Sequence, residues 1–137
     1  MLYLNESYLP IIAAAIVGFI AGFVWWGPIF GMKWAKLVGM NEKDIKKAKG
    51  ESMAKPMIVM IIGNLLMACV LSILLISTGA ANIKEALTLA FLVWLGFVAT
   101  IGIGVVLWEK KPMALFWINS IGWLITISAM AIVLMMF

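Results

Sequence analysis

A chain of 137 residues with 66% hydrophobic positions, 12% charged positions and a mean hydropathy of +1.16 is too apolar for a soluble domain, in which charged residues make up about 25%. The net charge of +4 sits mostly in one stretch, so it reports orientation and lipid contact, and nucleic acid is not an expected partner. Cys69 is the single cysteine, which excludes an intramolecular disulfide, and the chain has no His.

The segment before Leu9 carries Glu6 and lacks the basic start of a signal peptide. From Leu9 the sequence stays apolar, and a first span is expected over 9–27. Pro10 falls in its first turn, where a missing N–H breaks nothing. Ala14, Gly18 and Gly22 recur every fourth residue and form a small-residue face that lets another helix approach closely. The span closes on Trp25-Trp26-Gly27-Pro28, read as paired interfacial tryptophans followed by a helix break; an aromatic ligand site is the alternative.

The loop over 31–54 is the one long polar run. Lys33, Lys36, Lys43, Lys46, Lys47 and Lys49 make it basic, so it is expected on the cytoplasmic face against anionic headgroups. Within it Asn41 can cap a short amphipathic helix with Glu42 and Asp44 in the first turn and lysines in the last. The second span is expected over 55–78, with Gly79 as its cap. Met53, Met57, Met60 and Met67 share a stripe of it with Asn64. A thioether ladder can bind Cu(I), but no His or second Cys supports a metal, and none is expected.

Asn82 with Glu85 three residues on signals a capping box that opens the third span, 83–108. Gly96, Thr100 and Gly104 give that helix a small-residue face of its own. Glu109-Lys110-Lys111 turns the chain back, and Pro112 opens the fourth span, 112–136. The fold class is therefore all-α: a polytopic membrane protein with four transmembrane helices in a compact bundle plus a short cytoplasmic helix. An even number of spans around an inward basic loop places both termini outside, in a plasma (inner) membrane.

The second and fourth spans both begin Lys-Pro-Met, and each carries an Asn further in, Asn64 and Asn119. At about 1.5 Å per residue both amides lie on the order of 10 Å inside the boundary. Polar groups there need partners. Asn64, Asn119, Ser120 and Thr100 can bond one another across helices. Alternatively, the two amides read a ligand in a cytoplasm-facing pocket walled by Trp94, Trp117 or Trp123. Glu109 is the best-placed functional carboxylate, although pairing with Lys110 or Lys111 is the simpler role. With no carboxylate inside a span and neither His nor Arg, no catalytic residue and no cofactor are expected, and the chain is not read as an enzyme.

The run Val93-Trp94-Leu95-Gly96-Phe97-Val98-Ala99-Thr100, then Trp108-Glu109-Lys110-Lys111, then Leu115 to Leu124 resembles the signature half of the domain-of-unknown-function 1761 membrane family. Trp26-Gly27-Pro28-Ile29-Phe30-Gly31, with Trp34 and Gly39, is similar to that family's first-helix motif. Where many members carry an Asn in the third span, this chain reads Ile101-Gly102-Ile103-Gly104-Val105. The resemblance implies fold, topology and site location, and it adds no reaction. Two functions follow. One is small-molecule or ion binding or transport through a polar pocket, as a homo-oligomer. The other is a non-transporting component that binds anionic lipid or a partner membrane protein through the small-residue faces and the basic loop.

Overall fold

The computed structural model describes residues 8–137; Glu6 and the segment around it lie outside the described residues. Every regular element among the described residues is helical. Helix α1 (Leu9–Val24) continues through a π-helical turn, Trp25–Ile29, into α2 (Gly31–Leu37). Next come α3 (Glu42–Gly50) and α4 (Ala54–Ser77). Helix α5 (Ile83–Val93) passes through a second π-helical turn, Trp94–Ala99, into α6 (Thr100–Trp108), and α7 (Met113–Met135) completes the bundle. Four continuous helical stretches, Leu9–Ile29, Ala54–Ser77, Ile83–Trp108 and Met113–Met135, are long and apolar enough to cross a membrane.

Local chemistry sets the ends. The Asn41 side chain accepts from the Asp44 N–H at 2.8 Å, and Asp44 accepts from the Asn41 N–H at 3.1 Å, a reciprocal box that starts α3. Asn82 caps α5 by accepting from the Glu85 N–H at 2.9 Å, and Glu85 accepts from the N–H of Ala81, one residue before the cap, at 2.7 Å. Helix α4 stops at Gly79, whose φ of +71° permits the paired bonds from Gly79 N–H to Ile76 and from Ala80 N–H to Leu75. The turn between α6 and α7 uses the same bond pattern with Lys110 at φ 54°, a conformation that costs a non-glycine residue about 1–2 kcal/mol.

Gly27-Pro28 does not end the first helix, as the sequence suggests. The turn widens instead: the Phe30 N–H donates to the Trp25 carbonyl five residues back at 3.0 Å, and the helix absorbs the proline's missing donor. Gly31 then passes so close to the Trp26 carbonyl that a Cβ would sit 2.8 Å from it. Helix α2, not anticipated from the sequence, follows at once.

Helix α7 is the hub, packed against α1, α5, α6 and α4, while α4 otherwise packs on α1. The main core is rich in alanine: Ala14 and Ala15 meet Ala68, Ala86, Ala90 and Ala131, with Leu71, Leu75, Ile127 and Met130 between them. Small residues let helix backbones approach and gain dispersion contacts, which hold such bundles together in lipid. All these residues lie in the half of the bundle away from the lysine-rich segment. In the opposite half α4 leaves its neighbours: its buried residues are Asn64, Ala68, Leu71, Ser72 and Leu75, and none precedes Asn64.

The small-residue faces divide accordingly. Ala14 and Gly18 are buried at the junction of α1, α4 and α7, where a Cβ on Gly18 would collide with Met130 and approach Asn64 Oδ1 to 2.9 Å. Gly22 has only the Trp26 ring of its own chain segment near it, at 3.6 Å. A Cβ on Gly96 or Gly104 meets nothing within 4 Å, so these two do not pack helices within the subunit, because α5–α6 turn the stripe outward; Gly102 faces α7 instead.

Candidate functional site

Three indoles fix the middle of the lysine-side half. Trp25 Nε1 donates to the Ile118 carbonyl at 2.9 Å, Trp26 Nε1 to Asn119 Oδ1 at 3.0 Å, and Trp94 Nε1 to the Ser120 carbonyl at 2.6 Å. The first two side chains come from one π-helical turn and the third from the other, so both widened turns aim tryptophans at three consecutive residues of α7. Gly122 makes room for them: a Cβ there would lie 2.6 Å from Trp25 and 2.7 Å from Trp26. The pair expected as an outward interfacial belt instead lies across α7, because a bare glycine surface and two acceptors satisfy the indole face and N–H together.

Beside this clamp, between α1, α4 and α7, is a cavity of about 600 Å³. Phe19, Phe23, Trp26, Trp34 and Trp123 form aromatic walls, and Met53, Met57 and Met60 line the α4 side. Trp26 and Trp123 stand 5.2 Å apart, tilted by 55°. Asn64 and Asn119 both line this cavity and do not bond each other. Asn64 is 4% exposed; its Nδ2 donates to the Met60 carbonyl at 2.8 Å, while its Oδ1 has no partner among the described residues. Asn119 accepts from Trp26 through Oδ1, which leaves its NH₂ without a partner among the described residues. An amide carbonyl buried without a donor costs about 1–3 kcal/mol, so Asn64 is held where a donor is missing.

A second cavity of about 570 Å³ lies on the other side of Trp34, Asn119 and Trp123, between α7 and α6. Phe97, Phe116 and Ser120 line it, and Glu109 and Lys111 bring the two charges. Glu109 makes no ion pair among the described residues, so pairing with Lys110 or Lys111 does not occur; Lys111 Nζ donates instead to the Val38 carbonyl at the end of α2, 3.1 Å away.

The residues expected to form one pocket are thus separated. Asn64, Asn119 and Trp123 line the first cavity, and Asn119, Trp123 and Glu109 the second. Trp94 is spent on the Ser120 carbonyl. Thr100 is exposed and donates to its own helix at Gly96, 2.7 Å away, and Trp117 is 54% exposed and packs edge-on against Phe116. Neither reaches either cavity. The cross-helix amide network is absent among the described residues, since Asn64 and Thr100 satisfy donors within their own helices. Trp26 belongs to the cavity, in line with the alternative reading of an aromatic ligand site at the end of the first span, whereas Trp34 and Gly122 carry no site expectation from the sequence; the glycine beside Trp123 is the available signal for a close approach. Lys33, Lys36, Lys43, Lys46, Lys47 and Lys49 are exposed on α2 and α3, and α3 has no buried residue.

Four long apolar helices, three of them gathered round the fourth, α7, with asparagines held inside, define a small polytopic α-helical membrane protein. More particularly, residues 9–135 match the family described as "Protein of unknown function (DUF1761)", and the chain belongs to it. No curated protein and no solved structure matches the chain.

Proposed function

We propose that the protein binds a small, uncharged and mainly apolar molecule in the cavity between α1, α4 and α7. One observation carries this reading: Asn64, whose Oδ1 is packed against Gly18 with no donor, lines a cavity whose other amide, Asn119, keeps an unused NH₂, and a turn of the Asn64 side chain brings its carbonyl to the ligand. A ligand with a group that both donates and accepts, such as a hydroxyl or a primary amide, satisfies the two together. No charged side chain lines this cavity among the described residues, which favours a neutral ligand. The wide end lies toward the lysine-bearing helices, so the ligand is taken up from the side on which the basic segment faces anionic headgroups of the plasma membrane, the cytoplasmic side. The assembly is a homo-oligomer in which the open glycine stripe of α5–α6 meets a second copy.

Paired probes test the binding. With the purified full chain, saturable quenching of tryptophan emission is expected for 1-naphthol and at least fivefold weaker binding for naphthalene. Asn64→Ala and Asn119→Ala should each erase that preference. Equal affinity for both probes in the parent protein overturns the proposal. Vesicle flux of the same probe separates transport from binding alone.

A second reading, a component that holds anionic lipid, is favoured by the exposed lysines of α2 and α3. Native mass spectrometry decides for it if phosphatidylglycerol is retained and replacing Lys46, Lys47 and Lys49 by Gln releases it.

A further inference from the structure

The second cavity combines an apolar body with two opposite charges that do not meet. Trp34, Phe97, Phe116 and Trp123 supply the body. Glu109 and Lys111 flank the α6–α7 turn, with Lys110 between them in the left-handed conformation. Carboxylate and ammonium groups two residues apart on a flexible loop are free to approach. Here the turn is fixed by its own backbone bonds, from Lys110 N–H to Leu107 and from Lys111 N–H to Val106. Lys111 is fixed again at its tip by the Val38 carbonyl, the last carbonyl region of α2, where a cation is favoured by the helix dipole. That bond uses one of three ammonium donors and leaves two. Glu109 keeps both carboxylate oxygens free of any ion pair among the described residues.

We infer that this cavity is a binding site for a zwitterionic solute with an apolar side chain, of the α-amino-acid class. The ligand's ammonium meets Glu109, its carboxylate meets the free donors of Lys111, and its side chain lies against Trp34 and Phe116, the aromatic residues nearest the charged end. Two separated charges, one of them held in place at Lys111, select such a ligand over one with a single charge, because the single-charge ligand leaves one protein charge without its partner while desolvating it. The wall formed by Trp34, Asn119 and Trp123 is shared with the first cavity, but the inference does not depend on what the first cavity holds.

The test is calorimetric titration of the purified full chain with L-phenylalanine, phenethylamine and 3-phenylpropionate, which share a ring and differ in charge. L-phenylalanine is expected to bind at least tenfold more tightly than either relative. Glu109→Gln, at an exposed position, should keep the thermal midpoint, weaken L-phenylalanine at least tenfold and leave 3-phenylpropionate unchanged. Asn64→Ala lines only the first cavity and should leave L-phenylalanine within twofold, even where it erases the naphthol preference. The inference is overturned if L-phenylalanine shows no saturable binding, if phenethylamine or 3-phenylpropionate binds as tightly, or if Glu109→Gln has no effect.

Discussion

Gly122→Ala tests the tryptophan clamp most directly. The new methyl carbon would stand 2.6 Å from both Cδ1 and Nε1 of Trp25 and 2.7 Å from Cζ2 of Trp26, against about 3.5–4 Å for a comfortable carbon contact. Two rings must therefore move by about 1 Å, and neither is a loose chain end, since both are hydrogen-bonded to α7. Overpacking costs about 1–3 kcal/mol, and each indole bond lost or lengthened adds about 0.5–1.5 kcal/mol. Alanine's better helix propensity offsets at most about 1 kcal/mol. The net expectation is a loss of about 1–6 kcal/mol. Gly63→Ala in α4 is the matched control: a Cβ there meets open space and lies on no proposed contact face, so stability should stay level or rise by up to about 1 kcal/mol. Reversible unfolding in mixed micelles at rising dodecyl sulfate, followed by near-ultraviolet circular dichroism of the indoles, gives both values. The reasoning fails if Gly122→Ala lies within about 0.5 kcal/mol of the parent, or if Gly63→Ala is as damaging.

Three further outcomes follow from the same structure. Lys110→Gly should raise the unfolding free energy by about 1 kcal/mol, measured in the same titration, because glycine relieves the strain of φ 54° in the α6–α7 turn. A double-mutant cycle of Trp26→Phe and Asn119→Ala should return a coupling of about 0.5–1.5 kcal/mol, the worth of the one bond the pair shares; additivity would place that bond outside the folded ensemble. Asn64→Leu should unfold within about 1 kcal/mol of the parent or later, since it exchanges an unsatisfied carbonyl for an apolar group of similar shape. A loss above about 2 kcal/mol would show that the amide itself holds α4 in place.

The parts legible in the sequence are those decided by neighbours along the chain. The Asn41–Asp44 and Asn82–Glu85 caps and the Gly79 stop all depend on residues within a turn of one another, and the structure has them. Which way each helix faces is a different problem. The spans are apolar all round, so no polar stripe marks the inside, and the orientation of a glycine ladder is not written in its spacing. Gly18 and Gly104 belong to ladders of the same period, yet one is buried against Asn64 and Met130 and the other meets open space. The tryptophans show the same limit. The spacing of Trp25, Trp26 and Trp94 does not say which of them turn inward, and the two widened turns bring all three onto α7. Asn64 and Asn119 were visible because an amide is conspicuous at that depth; that they share a cavity without touching depends on the divergence of α4, which no local pattern encodes.

The central position of α7 has a consequence for how the protein is made. Helices α1 and α4 have contacts of their own, but α5 and α6 find their partner in α7, which follows them in the chain. During translation the earlier helices are inserted one by one, and the third must wait in lipid with its inner face, including Ala86 and Ala90, uncovered until the ribosome delivers the fourth. A chain arrested before Met113 therefore offers a detached helix to membrane quality-control proteases, and consolidation of the bundle is a late, single event at the close of synthesis.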